Sequence, residues 1–374
     1  MKKRFIIMPI LLMGLVIANL FLADQDNRTM AFQNEGNAKP NVMLPIVING
    51  SNLTPSSSEA TLSIVQNRGY VKCATGSSLP GLSFLNPTNS KFEGLHIDFC
   101  KALAAAIFGD ATAFEIVPVT GSSRFIILQT GEADVLLGPS WTLSRDTSLG
   151  FDFQPTTFYD GQGMMVPKNS GITTLQDFDG GKICVQAGTT TEKNLANTMS
   201  DLGINYQAAV YPDSDSTREA YDDGLCDGFT SDKSALLYHN TLLSQPENHT
   251  ILAVMMSKEP SGPLTRHGDN KWGDIVMWTV NCTIQAEELG VDSTNVDSML
   301  GSDDPNIASL LGVEGDLGVG LGLGNSWCYH AIKQIGNYGE IYNRHVGSES
   351  SFSMARSFNE LWTNGGLIFS PPLR

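Results

Sequence analysis

Short apolar strands alternate with amphipathic helices in two successive runs of this chain, and that doubled alternation limits the fold more than any single motif. In the first run the spacing predicts strands over residues 70–75, 114–119 and 134–137. They are separated by helices over 94–108, with Ile97, Cys100, Ala104, Ile107 and Phe108 on one face, and over 124–130, stopped by Gly131. The pattern restarts after 164–168: strands over 182–186, 206–211 and 227–230 alternate with helices over 190–202, 216–223 and from 234 onward, and 251–255 leads back. Alternation of this kind implies right-handed crossovers, parallel sheets and ligand contacts at the carboxyl ends of strands. A second α/β unit inserted into a first, entered and left by two extended crossings, makes a bilobed protein with a cleft.

The remaining organisation follows from composition. The charge order Lys2, Lys3, Arg4 before an apolar stretch over 5–22 marks export, so residues 1–31 are read as a signal peptide or an uncleaved N-terminal anchor. Residues 32–61, rich in Asn, Ser, Pro and Gly, read as a flexible tether. Residues 62–165 form the first part of lobe 1, 166–256 form lobe 2, and 257–374 complete lobe 1 and add a helical C-terminal extension. At 374 residues with 41% hydrophobic and 17% charged content, the chain can fill cores of this size. A formal charge of -16 argues against nucleic acid as a partner, because a phosphate backbone would be repelled over most of the surface.

Six cysteines, Cys73, Cys100, Cys184, Cys226, Cys282 and Cys328, occur singly without a CxxC pair, which disfavours zinc and redox motifs. An even count in an exported protein fits disulfides. Cys73 with Cys100 and Cys184 with Cys226 are the preferred pairs, with six buried thiols as the alternative. No HExxH or GxSxG occurs, the glycines over 318–324 lack GxGxxG spacing, and no residue is assigned as catalytic, metal-binding or cofactor-binding.

Two charges stand just past strands in different lobes: Arg145 after Ser140, Trp141 and Thr142, and Asp232 after the strand at 227–230. A guanidinium forks onto a carboxylate and a carboxylate answers an ammonium, so together they suit a free amino acid. Taken singly, Arg145 fits a surface ion pair with Asp146, and Asp232 fits a helix cap. Gly188, Thr189 and Glu192 open a helix after a strand, Thr189 and Glu192 matching a capping box; the amide of Thr190 then faces a possible anion. Arg124 reads as structural, because Phe125, Ile126 and Leu128 beside it are placed against the sheet.

These residues lie within a wider resemblance. The stretches WTLSRDTSLG at 141–150, YDGQG at 159–163, GTTTE at 188–192, KEP at 258–260 and AEELGV at 286–291 resemble general L-amino-acid solute-binding proteins of bacterial ABC transporters. So does the tail from Leu361 and Trp362 through 365–367 to 371–374, and the likeness runs from about residue 70 to the end. It implies a periplasmic-binding-protein type II fold, two parallel or mixed sheets flanked by helices, that closes over an L-amino acid and delivers it to a membrane permease. By the resemblance Arg145, Ser140 and Thr190 hold the α-carboxylate and Asp232 the α-ammonium, with Trp141, Thr142 and a cleft wall including Gly76, Ser77 and Leu79 around them. Gly138 and Pro139 stand where the family usually carries a polar Asn-Thr pair, and Gly76 where a polar residue is usual. The implied protein is a periplasmic monomer without enzymatic activity; the alternatives are a prephenate- or arogenate-type dehydratase on the same fold and a ligand-sensing module.

Overall fold

The computed structural model describes residues 60–373. The signal or anchor expected over 1–31 and nearly all of the tether over 32–61 lie outside the described residues; the first helix among those described, Thr61–Arg68, begins where the tether was expected to end. Two five-stranded sheets carry the architecture. In one, the order is Phe114–Pro118, Val71–Thr75, Val135–Leu136, Leu264–Arg266, Phe151–Phe153; in the other, Gln207–Tyr211, Lys182–Gln186, Gly228–Asp232, Gln162–Pro167, His249–Ile251. The first three strands of each are parallel, as the alternation requires. The chain returning from the other lobe adds antiparallel strands, so both sheets are mixed rather than wholly parallel.

Each sheet has its own core. Helix Leu95–Phe108 is buried on nearly all sides, packs against helices Trp327–Ile335 and Asn270–Glu288, and stops at Gly109, whose φ of 70° suits glycine. The apolar face expected there is therefore too narrow, because helices of the C-terminal extension cover the side facing away from the sheet. Asp98 of this helix fastens the extension, receiving Arg344 and His345, each at 2.7 Å, and Lys101 at 2.9 Å. Met164, Val166, Ile183, Val185, Leu195 and Met199 fill a separate core under the second sheet. The cysteines pair as Cys73–Cys100, Cys184–Cys226 and Cys282–Cys328. The first two are the preferred pairs; the third joins two helices of lobe 1.

A short antiparallel ribbon, Phe158–Asp160 with Glu259–Ser261, belongs to neither large sheet and carries the chain between them. A hairpin sheet made by Ser78–Leu79, Ser83–Asn86 and Lys91–Glu93, not anticipated from the sequence, builds one bank of the cleft. The lobes touch across that cleft. The Phe84 and Tyr238 rings meet edge-on at 6.2 Å, and a Cβ on Gly121 would fall 2.6 Å from the carbonyl oxygen of Ala187. Among the described residues no helix is long and apolar enough to cross a membrane.

Candidate functional site

The carboxyl ends of the parallel strands of both sheets converge on one cavity of about 160 Å³. Gly76 and Ser77 follow the strand ending at Thr75, Thr120 and Gly121 follow the one ending at Pro118, and Gly138 follows the one ending at Leu136. From the other lobe come Gln186 and Thr189, after the strand Lys182–Gln186, and Asp213 and Ser214, after Gln207–Tyr211. Strand ends meet ligands because side chains and amides there project past the sheet without being consumed by the ladder. The volume suits one small solute and falls below the roughly 300–1,000 Å³ of drug-sized sites.

Beside the cavity lies a field of charges contributed by both lobes. Arg145 sits in a π turn, Ser144–Ser148, closed by Leu149 N–H donating to the Ser144 carbonyl. It is 7% exposed, donates Nη1 to the Ser140 carbonyl at 2.7 Å and lies 5.1 Å over the Phe125 ring. Its expected surface partner Asp146 instead accepts from Trp141 Nε1. Burial lowers the Arg145 pKa, while Glu259 and Asp232 act to raise it. Asp232 occupies the cap position of helix Lys233–Thr241 without capping it by its side chain, and its Oδ1 is sealed from solvent with no hydrogen-bond partner. Burial pushes the Asp232 carboxyl well above the usual range, and Asp160 and Glu259 push it further. Among the described residues no ion pair joins either Arg124 or Arg145 to Asp232. Opposite charges thus influence one another across the cleft without meeting.

Three members of this field were missed in the sequence. Arg124, read there as structural, lines the cavity, donates Nη2 to the Gly188 carbonyl across the cleft at 3.3 Å and leaves Nε unpartnered. Burial first, then the neighbouring charge of Arg145, pulls its pKa down to about 9. The helix it opens presents Leu128 to the sheet, but Ile126, expected there too, is 61% exposed. Glu259 and Asp160 sit opposite each other on the ribbon. Glu259 accepts from Thr190 Oγ1 at 2.8 Å, Asn194 Nδ2 at 2.7 Å and Ser257 Oγ. Asp160 accepts from the amides of Gly161 and Ser234, and burial raises its pKa. Both lie inside stretches that carried the family resemblance, which was the available signal.

The other expected site residues divide. Gly76, Ser77 and Leu79 line the cavity. Ser140 is buried and bridged to Ser261, and its carbonyl holds Arg145. The Thr190 hydroxyl is taken by Glu259, leaving the amide, in a first helical turn where amides lack intrahelical acceptors, as its group for an anion. Thr142 Oγ1 accepts from the Arg145 amide at 3.3 Å. Trp141 stacks on Phe153 at 5.5 Å and remains 43% exposed, so its ring serves the Arg145 turn; neither it nor Arg145, Asp232, Ser140, Thr142 or Thr190 lines the cavity, which they border from behind its wall. The capping box is half formed: Thr189 Oγ1 accepts from Glu192 N, but Glu192 Oε2 accepts from Gly188 N, one residue before the cap. Apart from the cleft, Asp146, Asp152 and His267 bring possible ligand atoms within 4.8 Å, with His267 Nε2 3.2 Å from Asp152.

The family model for bacterial extracellular solute-binding proteins, family 3, matches residues 71–289, which span both sheets and every charge of the cleft. The chain belongs to this family. The solute-binding family also supplies near relatives along most of the length. The general L-amino acid-binding periplasmic protein AapJ of Rhizobium johnstonii is 42% identical over 322 residues, 85% of this chain and 94% of that protein. The glutamate/glutamine/aspartate/asparagine-binding protein BztA of Rhodobacter capsulatus is 41% identical over 321 residues, 85% and 95% of the two chains. A periplasmic binding protein from Brucella ovis, solved with glutathione bound, superposes with a TM-score of 0.81 at 42% identity, over 84% of this chain and 99% of that one. The fold is the bilobed type II architecture of this family, and the chain is a solute-binding protein rather than an enzyme.

Proposed function

We propose that the chain captures a free L-amino acid between its lobes outside the cytoplasm and hands it to the permease of an ABC transporter. The observation that carries this reading is a lobe 1 guanidinium, Arg145, within electrostatic reach of a lobe 2 carboxylate, Asp232, whose Oδ1 has no protein partner and whose charge the fold makes costly. An ammonium supplies the missing partner and relieves that cost, and Arg145 and the Thr190 amide are the groups left to answer the attached carboxylate. Clamping groups on opposite lobes make the ligand bind the closed form more tightly than the open one, which is the condition for closure. The relatives support the ligand class by name: amino acids for AapJ and BztA. Glutathione, bound by the Brucella protein, keeps a free α-amino and α-carboxylate pair on its glutamyl end, although a cavity of about 160 Å³ favours a single amino acid here. The dehydratase alternative gains no support from these relatives, which are named as binding proteins.

The bend in this reading lies at the two-stranded ribbon. Val166 and Pro167, where lobe 2 was expected to begin, are held in the second sheet by pairing with Thr250 and His249, whereas residues 160–161 and 256–259 border the ribbon. Lobe 2 then starts near 162 rather than 166. The protein acts as a monomer, held near the membrane if its N-terminal segment is retained. A thermal-shift panel of the twenty amino acids, glutathione and prephenate tests the reading. A ligand at one hundred times its Kd stabilises by about 2.7 kcal/mol, a shift of several degrees. The proposal fails if no amino acid shifts the transition, or if prephenate is turned over.

A further inference from the structure

His96 is the second residue of the buried helix Leu95–Phe108, and its ring forms part of the cavity wall. It is 6% exposed, and its Nε2 has no hydrogen-bond partner. Buried polar atoms in folded proteins are nearly always paired, so an orphan on a residue of the cavity wall points to a partner that arrives with the ligand. The ring is held in place from one side by Gly138. A Cβ at that position, where φ is 95°, would lie 2.5 Å from the imidazole Cε1, so the ring fills the space a side chain there would need. Burial, and secondarily the charge of His345, lowers the His96 pKa to about 4, so the ring is neutral at pH 7 and available as a single donor and acceptor. Leu79, Val119, Leu136 and Leu137 line the same cavity, and its polar members fit an acceptor. Ser77 and Ser83 add hydroxyls, and Arg124 adds a guanidinium without an ion pair among the described residues. The one carboxylate in the wall, Asp213, already accepts from the amide and hydroxyl of Ser216.

We propose that His96 is a specificity-determining residue whose Nε2–H donates to a side-chain oxygen of the bound amino acid, so that amide and carboxylate side chains are preferred over aliphatic ones of similar size. This rests on the reading of the cleft as an amino-acid site. Calorimetry on the purified protein with L-glutamine, L-glutamate, L-methionine and L-leucine tests it, using the wild type, His96→Phe and His96→Gln. The loss of one buried hydrogen bond predicts that His96→Phe weakens glutamine and glutamate about tenfold, while leucine changes less than about threefold. His96→Gln, which keeps an N–H donor, retains glutamine binding. Glutamine against glutamate in the wild type tells an amide preference from a carboxylate one. The proposal is overturned if His96→Phe weakens all four ligands alike or none of them. It is also overturned, whatever the variants do, if wild-type protein holds methionine as tightly as glutamine. A wild type that binds no amino acid at all would instead remove the reading on which the proposal stands.

Discussion

Asp232→Asn separates what the carboxylate does for a ligand from what it costs the protein. In the absence of ligand, the Asp232 charge is buried beside Asp160 and Glu259 and lacks a hydrogen-bond partner at Oδ1. Its pKa in the folded protein is therefore raised. A raised carboxyl pKa contributes stability that is fully present below the ordinary carboxylate value and is lost as pH rises through the folded-state value. Above the ordinary carboxylate value the buried carboxyl therefore costs stability, and the isosteric amide removes that cost, so the ligand-free variant melts higher than the wild type at neutral pH. Binding moves the other way. A charge-assisted hydrogen bond is worth about 1.5–3 kcal/mol, so the loss of the ammonium contact weakens amino-acid binding about 10- to 150-fold. Because an ammonium favours the ionised carboxylate, wild-type affinity is flat well above the raised pKa and declines as pH falls through it, with proton release on binding across that window. Calorimetry in two buffers of different ionisation enthalpy, together with melting curves from pH 4 to 8, reads all three quantities. An Asp232→Asn variant that binds as tightly as the wild type refutes the clamp, and one that melts lower without ligand at pH 7 refutes the account of the buried charge.

Arg145→Met keeps a long apolar stem over Phe125 but removes the fork, so every amino acid should lose at least about tenfold in affinity by equilibrium dialysis, whatever its side chain. Asp98→Asn should destabilise the fold by about 1.5–3 kcal/mol in urea unfolding, because Arg344 and His345 lose a charged acceptor while Arg344, 42% exposed, keeps its contact with water. Burial alone would raise the Asp98 pKa, but the His345 hydrogen bond and the charges of His345, Lys101 and Arg344 hold it far below the usual range. Its contribution is thus present above the ordinary carboxylate pKa and lost only as pH falls through the depressed value, so wild type and variant should converge in strongly acidic solution. Reduction of the disulfides, which span 27, 42 and 46 residues, should lower stability. The chain-entropy model gives about 3.5–4 kcal/mol for each, so dithiothreitol should depress the melting temperature by many degrees, measurable by circular dichroism.

How much of the site was legible depended on whether the signal was local. Arg145 and Asp232 could be found because each follows a strand, where a charged side chain is poorly used by the core. The pairs Cys73–Cys100 and Cys184–Cys226 could be proposed because their partners lie in neighbouring elements, while Cys282–Cys328 depends on how two helices of lobe 1 pack. Arg124 and His96 were hidden for the opposite reason: each begins a helix whose apolar neighbours give a sufficient structural explanation. Glu259 and Asp160 gain their role only when strands about one hundred residues apart pair in the ribbon.

The order of apolar and polar residues settled the two α/β units, their parallel strands and the side of each sheet where a ligand would sit, because hydrophobic period and crossover handedness act over a few turns of chain. The sequence could not settle which charges share a cleft, which side chain caps a helix and which leaves its oxygen unpaired, or that a histidine fills the space beside Gly138. Those outcomes depend on distance and desolvation between groups far apart along the chain, and both come into being only when the two lobes fold and face each other.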